Sequence, residues 1–316
     1  MNKLKVRMLG KFHIECSNRS WHLDEWSKAR EFFCFLLLHR HGSFTREELA
    51  SRFWPDSSPA QGKKNLRQSI WRLHSQFQVL EQNLASRLVL CTSEQIRINP
   101  ILDIWVDVES FRQTYSNLRN KPELSELEAN MIRNAAMLYQ GDFLEGWHQD
   151  WPFSERNQLQ HIYLEMLGKL MNYCIRQENY EEGIQLGETI LRYDPASERT
   201  HQQLMKQHYL VGDRTAALHQ FERCVKLLRE ELDVAPAKNT LTIYRQICDD
   251  EFRPQDAQPI SFTRSHELTT RSPAAISEAV ARLTELKTVM EDIQFQIQHQ
   301  VRVIENLLLA DGSSRN

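Results

Sequence analysis

Residues 58–77 constrain this chain more than any other stretch, because their apolar and charged side chains separate cleanly only on a helix. At roughly 100° per residue, Leu66, Ile70, Leu73 and Phe77 share one stripe, the spacing of a helix resting on a core. Lys64, Arg67, Gln68, Trp71, Arg72 and Ser75 fall on the other side. Between residues 63 and 78 there is no Asp or Glu, whereas an ordinary surface helix mixes both signs. The segment must therefore cover a hydrophobic core with one face and offer a cationic face to solvent, for which a polyanion is the natural partner.

The flanking sequence predicts what surrounds this helix. Leu4, Val6 and Met8 alternate with Lys5 and Arg7, and Phe12 and Ile14 repeat the alternation, so the chain opens as short antiparallel strands. Residues 28–38 are apolar enough for a central buried helix ending near Gly42. Thr45-Arg46-Glu47-Glu48 is a capping box that opens a short second helix, which Pro55 closes. Ser58-Pro59 starts the third helix, with proline at the first helical position. Beyond it, residues 87–91 and 95–99 alternate around Thr92-Ser93-Glu94 and predict a β-hairpin, in which Arg87 and Arg97 are placed to run along phosphates.

Two helices joined by a tight turn and followed by a hairpin form a winged helix-turn-helix. Lys28-Ala29-Arg30, Arg46-Glu47-Glu48-Leu49, Trp54-Pro55 and Asn65-Leu66-Arg67-Gln68 with Arg72-Leu73, in this order, resemble the OmpR-type winged helix of the Streptomyces antibiotic regulatory protein (SARP) family. The resemblance implies that the third helix reads the major groove of DNA through Lys64, Arg67, Gln68, Trp71 and Arg72. His74-Ser75 stand where further basic residues are common in that family. Arg67 and Gln68 have the geometry for bidentate contacts to guanine and adenine. Lys63 and Lys64, near the helix start beside Asn65, suit phosphate positioning. An indole at Trp71, on the polar side, either touches DNA or is covered by another domain.

The net charge of −3 conceals an asymmetry. Residues 1–103 hold 16 Lys and Arg against 10 Asp and Glu, and the remainder holds 23 against 32, so phosphate contacts belong to the amino-terminal third. The six cysteines are scattered with no C-x-x-C and no histidine at zinc-ligand spacing, which leaves reduced, mostly buried thiols as the expectation and no metal or cofactor. No apolar run is long enough to span a bilayer, and a cytoplasmic protein is expected.

A long acidic helical region follows the hairpin. Shifting residues 180–189 by 34 lays Ile184 on Leu218, Gly187 on Phe221 and Asn179 on Asp213, the period of tetratricopeptide repeats. Tyr139-Gln140-Gly141-Asp142-Phe143-Leu144, Trp151, Glu155-Arg156 and Glu230-Glu231-Leu232-Asp233-Val234-Ala235-Pro236 resemble the bacterial transcriptional activator domain, which follows the winged helix in that family. No phosphate-binding G-x-x-x-x-G-K-[ST] motif is present. Trp147-His148-Gln149-Asp150-Trp151 brings a histidine beside a carboxylate, but packing of the two indoles between helices is the expectation, and no catalytic constellation stands out.

Residues 252–273, with three prolines, predict a linker, and residues 274–310 contain neither Pro nor Gly. There Ile276, Leu283, Met290, Ile297 and Ile304 recur every seven residues, with Val280, Val301 and Leu308 at the partner position, broken by Lys287 and Gln294. Such a seam predicts a coiled coil that forms a homodimer, with folding back onto the same chain as the alternative.

The expected architecture is mainly α: an α+β winged helix (1–104), a helical repeat domain resembling tetratricopeptide repeats (105–251), a linker (252–273) and a coiled-coil helix (274–310). The expected function is that of a bacterial, sequence-specific DNA-binding transcriptional regulator, by resemblance an activator that meets RNA polymerase, with no enzymatic activity and no membrane partner. The competing expectation is a repeat-type interaction scaffold whose winged helix does not bind DNA.

Overall fold

Strand β1 (Leu4–Arg7) buries Leu4 and Val6 and exposes Arg7, as its alternation requires, and pairs antiparallel with β2 (His13–Cys16) so that Val6 faces Ile14. Strand β3 (Arg19–Trp21) continues on β2. The opposite edge of β1 takes a strand that crosses the domain boundary expected between residues 104 and 105. Residues Ile104–Val106 form β7, parallel to β1 with Val106 beside Val6, giving the sheet order β3-β2-β1-β7. Parallel partners meet through a long crossover rather than a turn, so a three-residue parallel strand has no local signal. The computed structural model describes residues 4–252 except 17–18, 22–27, 81–86 and 148–150. The expected coiled coil and all but the first residue of the expected linker lie outside the described residues.

Helix α1 (Lys28–Leu38) buries Phe32, Phe33, Cys34, Phe35, Leu36 and Leu37, so apolar side chains meet protein on every side of it. Helix α2 (Arg46–Phe53) begins at the capping box: Glu48 N donates to Thr45 Oγ1 at 3.2 Å and Thr45 N donates to Glu48 Oε2 at 2.7 Å. Helix α3 (Pro59–Leu80) starts at its proline, with Ser58 Oγ accepting from Gln61 N at 3.4 Å. Strands β5 (Val89–Cys91) and β6 (Gln95–Ile98) form the hairpin, and β4 (Phe44–Thr45) extends it to a sheet of order β4-β6-β5. Arg87 and Leu88, expected in the first hairpin strand, are helical instead. The strand begins at Val89 because its first cross-strand partner, Ile98, is the last residue of β6.

The chain then becomes all-helical: α4 (Asp107–Leu118), α5 (Glu126–Ala136), α6 (Trp151–Arg176), α7 (Tyr180–Tyr193), α8 (Glu198–Leu210), α9 (Arg214–Leu232) and α10 (Lys238–Cys248). Asn179 and Asp213, superposed by the 34-residue shift, precede α7 and α9 at the N-cap, but only Asp213 caps with its side chain, accepting from Ala216 N at 2.8 Å. The shifted positions Gly187 and Phe221 also pack differently. Gly187 lets α7 approach Leu204 and Met171 closely, whereas Phe221 stacks on Tyr244 of α10 at 4.0 Å between ring centroids.

One apolar core runs from β1, α1 and α3 through α4 and α6 to Leu204 on α8, and a smaller one joins Met205, Ala217, Ile243 and Ile247. The described residues belong to one compact unit. Cys16, Cys34, Cys174 and Cys224 are buried, and burial raises the Cys174 and Cys224 thiols to about 12. Among the described residues no helix is long and apolar enough to cross a membrane.

Candidate nucleic-acid interface

Helix α3 is oriented by its apolar stripe. Leu66, Leu73 and Phe77 are fully buried, Phe77 meets Phe33 of α1 edge-on at 5.0 Å, and Ile70 is partly buried against the same core. Gly62 faces α2, where an added Cβ would stand 3.3 Å from Ala50 Cβ, so the absent side chain permits close contact at the turn between the helices. With the stripe held inward, Lys64, Arg67, Gln68, Trp71 and Arg72 are exposed together on the outer face.

Two other expected interface residues are partly engaged within the protein. Lys63 is half-buried and ion-paired to Glu47 of α2, an interaction that also holds the Glu47 carboxyl below the usual carboxylate range through its side-chain hydrogen bond. Asn65 is half-buried and its Oδ1 accepts from Gln61 Nε2 at 2.9 Å. Near the far end of the outer face, Ser75 Oγ donates back to Trp71 O at 3.0 Å, and His74 is half-buried with its Nε2 enclosed and without a hydrogen-bond partner. The Ser75 hydroxyl and the His74 Nε2 are thus turned to the protein's own backbone and interior.

Arg87 and Arg97 are both exposed, but only Arg97 belongs to the hairpin, on β6 opposite Leu90. Its flanking residues Ile96 and Ile98 are buried, and it lines a cleft with Arg40, His41 and Asn99. Sequence reasoning missed Arg46. Its guanidinium donates to Thr92 O at 2.9 Å and Ser93 O at 3.3 Å, tying the hairpin turn to the first turn of α2. An arginine in an N-terminal turn runs against the helix dipole, and that was the available signal of another role.

A second group of contacts fixes the amino-terminal sheet and α1 against the all-helical region. Trp147 packs on Phe12 at 6.0 Å and lies under the Arg30 guanidinium at 4.4 Å, while Trp151 meets Phe35 and Phe143 edge-on. These indoles, expected between helices, also join the helical region to the amino-terminal sheet and α1. His148 and Asp150 lie outside the described residues. Backbone bonds reinforce the joint: Leu144 N donates to Met8 O at 2.8 Å and Gly10 N to Asp142 O at 3.1 Å. Gly10 and Leu144 both have positive φ, so the two loops meet through tight backbone turns. Arg156 donates to the carbonyls of Phe143, Leu144 and Trp147, fixing that loop to α6.

At the centre of the joint Asp107 is buried. Its Oδ2 accepts from Met8 N at 2.7 Å and Leu9 N at 2.9 Å, and its Oδ1 from Val108 N at 2.7 Å. Burial pushes its carboxyl up to about 6, against the pull of those three N–H donors. Nearby, Glu109 pairs with Arg40 at 2.5 Å and with His41 Nε2 at 2.8 Å. Such satisfied groups hold backbone in place. Among the described residues no group of three or more His, Cys, Asp or Glu side chains is arranged to hold a metal ion.

A helix-turn-helix with an exposed cationic second helix and a hairpin is thus fused through a shared core to a bundle of helices. Residues 106–248 match the family model of the bacterial transcriptional activator domain, so the chain carries a domain of that family. The chain is similar in fold to Mycobacterium tuberculosis EmbR, whose structure was solved in complex with a low-affinity phosphopeptide. The TM-score is 0.63 at 14% identity, covering 82% of this chain and 69% of that one. No curated protein matches the sequence.

Proposed function

We propose that this protein is a SARP-like transcriptional regulator that binds duplex DNA in a sequence-specific manner and activates transcription, with α3 lying in the major groove. The supporting observation is the outer face of α3, where Lys64, Arg67, Gln68, Trp71 and Arg72 stand exposed together. No carboxylate occurs from residue 63 to 78, so phosphates meet no repulsion from the helix itself. Arg67 and Gln68 read bases, Lys64 and Arg72 reach phosphates, and Lys63 and Asn65 help to set the helix start. Arg97 on the hairpin and Arg87 ahead of it supply further cationic contacts. The helical region, which matches an activator domain, is the surface offered to RNA polymerase. The heptad seam at residues 274–310 pairs two copies, so that two recognition helices meet a repeated operator.

The test is binding of the full chain to duplexes selected from a random-sequence pool, measured over a range of salt. Several phosphate contacts make log K fall linearly with log salt, by about 0.9 per phosphate neutralised. Absence of saturable, salt-dependent binding to any duplex would leave the interaction scaffold as the function.

A further inference from the structure

Trp71 does not fit an electrostatic account of α3. It is 68% exposed on the outer face of an amphipathic helix, where an ordinary sequence places a charged or amide side chain. At roughly 100° per residue, Lys64, Gln68, Trp71 and Ser75 lie within about 60° of one another, so the indole stands near the middle of the cationic face rather than at its rim. The backbone beneath it is fixed, since the core grips Leu73 and Ile70 on either side and the Ser75 hydroxyl bonds to its carbonyl.

The chemistry of an indole restricts what it can meet in a major groove. Its Nε1–H donates and cannot accept, which excludes pairing with the amino groups of adenine and cytosine. The rest of the ring is apolar, and among the four bases only thymine carries an apolar group on its major-groove edge, the C5-methyl, with the O4 acceptor beside it. One base thus offers both complements of an indole, a methyl for the ring and an acceptor for the N–H.

Resting on the proposed placement of α3 in the major groove, we infer that Trp71 is a specificity-determining residue that reads a thymine through its methyl group. Spacing along the helix locates that thymine. Trp71 follows Gln68 by three residues, an advance of about 4.5 Å at 1.5 Å per residue, against a base-pair rise of about 3.4 Å. The thymine therefore lies within about two base pairs of the adenine that Gln68 contacts.

The experiment uses the full chain and a duplex selected from a random pool, in which each thymine is replaced singly by deoxyuridine, removing one methyl and leaving every hydrogen-bonding group. For the wild type, one or two replacements near the Gln68 contact should weaken binding about fourfold, the value of one apolar carbon kept from water, and the others should have no effect. Trp71→Ala, at an exposed position that the fold does not need, should bind the parent duplex more weakly and be indifferent to the same replacements, with an unchanged far-ultraviolet circular dichroism spectrum. If both proteins respond equally to every replacement, or if Trp71→Ala binds the parent duplex as tightly as the wild type, the indole does not read a methyl and the inference fails while the DNA-binding reading stands. If the wild type shows no salt-dependent binding to any duplex, both readings fall together.

Discussion

Arg67 and Gln68 are neighbours on α3, both exposed, yet they are suited to different partners. A guanidinium fork matches the O6 and N7 acceptors of guanine, and a carboxamide matches the N6 donor and N7 acceptor of adenine. Arg67→Ala or Gln68→Ala should relax preference at one base pair each and cost about 1–3 kcal/mol on the selected duplex. Lys64→Ala should instead weaken all duplexes alike and lower the salt slope by about one, which a salt titration on specific and scrambled duplexes separates. A uniform loss from all three changes would mean that this face positions phosphates without reading bases. Asp107 is a residue of another kind, holding Met8, Leu9 and Val108 N–H groups in the core of the joint. Its folded carboxyl titrates near 6, above its ordinary value of 3.8, so its contribution to stability is full below 3.8 and is lost as pH rises through about 6. Moving from pH 7 to pH 5 should therefore raise the stability of the wild type relative to Asp107→Asn by about 1 kcal/mol. Urea midpoints of both proteins at the two pH values provide the check, and an unchanged gap would contradict the shift.

At the scale of the element, helix termini and close contacts set what each helix can do. The capping box at Thr45 and Glu48 starts α2 next to β4, and Arg46 in the same turn holds the hairpin, so one turn of helix positions both parts of the helix-turn-helix and its wing. In the helical region, α7 depends on Gly187. A Cβ there would lie 2.7 Å from Leu204 Cδ2 and 2.8 Å from Met171 Cε. Gly187→Leu should lower stability by roughly 1–3 kcal/mol through overpacking, more than the gain of about 1 kcal/mol in helix propensity returns. A urea midpoint equal to or above that of the wild type would show that the α6–α7–α8 contact has room to spare. The 34-residue shift matched helix starts well, since Asn179 and Asp213 both stand at N-caps, but not packing, since Gly187 and Phe221 have opposite environments. Sequence periodicity records where helices begin, whereas contact between helices depends on which neighbours the path of the chain brings in.

On the scale of the whole molecule, the continuous core means that α3 is aimed by the helical region as well as by its own domain. Trp147, Trp151 and Asp107 make that joint through partners distant in sequence, Phe12, Phe35 and the Met8 N–H. The proposed pairing of two such molecules rests on the heptads of residues 274–310, and Ile297 occupies the middle of the seam. Ile297→Asp should convert a dimer into a monomer in sedimentation equilibrium, because a buried carboxylate in an apolar seam is strongly disfavoured. An unchanged mass would favour the seam closing on its own chain.

The sequence by itself determined the local elements: the strand alternation of Leu4, Val6 and Ile14, the capping box at Thr45, the proline start of α3 and the separation of its stripe from its cationic face. Each is set by neighbours within a few residues, where period, capping and turn chemistry act. It also carried the resemblance that residues 106–248 support. Only the tertiary structure decided that Ile104–Val106 is a strand parallel to β1, that Arg87 precedes the hairpin strand, that Lys63 is paired to Glu47 and that Trp71 stays uncovered while Trp147 is enclosed. Trp71 and Trp147 make the reason plain: an indole has the same apolar surface wherever it occurs, and whether water reaches it is settled by what the rest of the chain places over it.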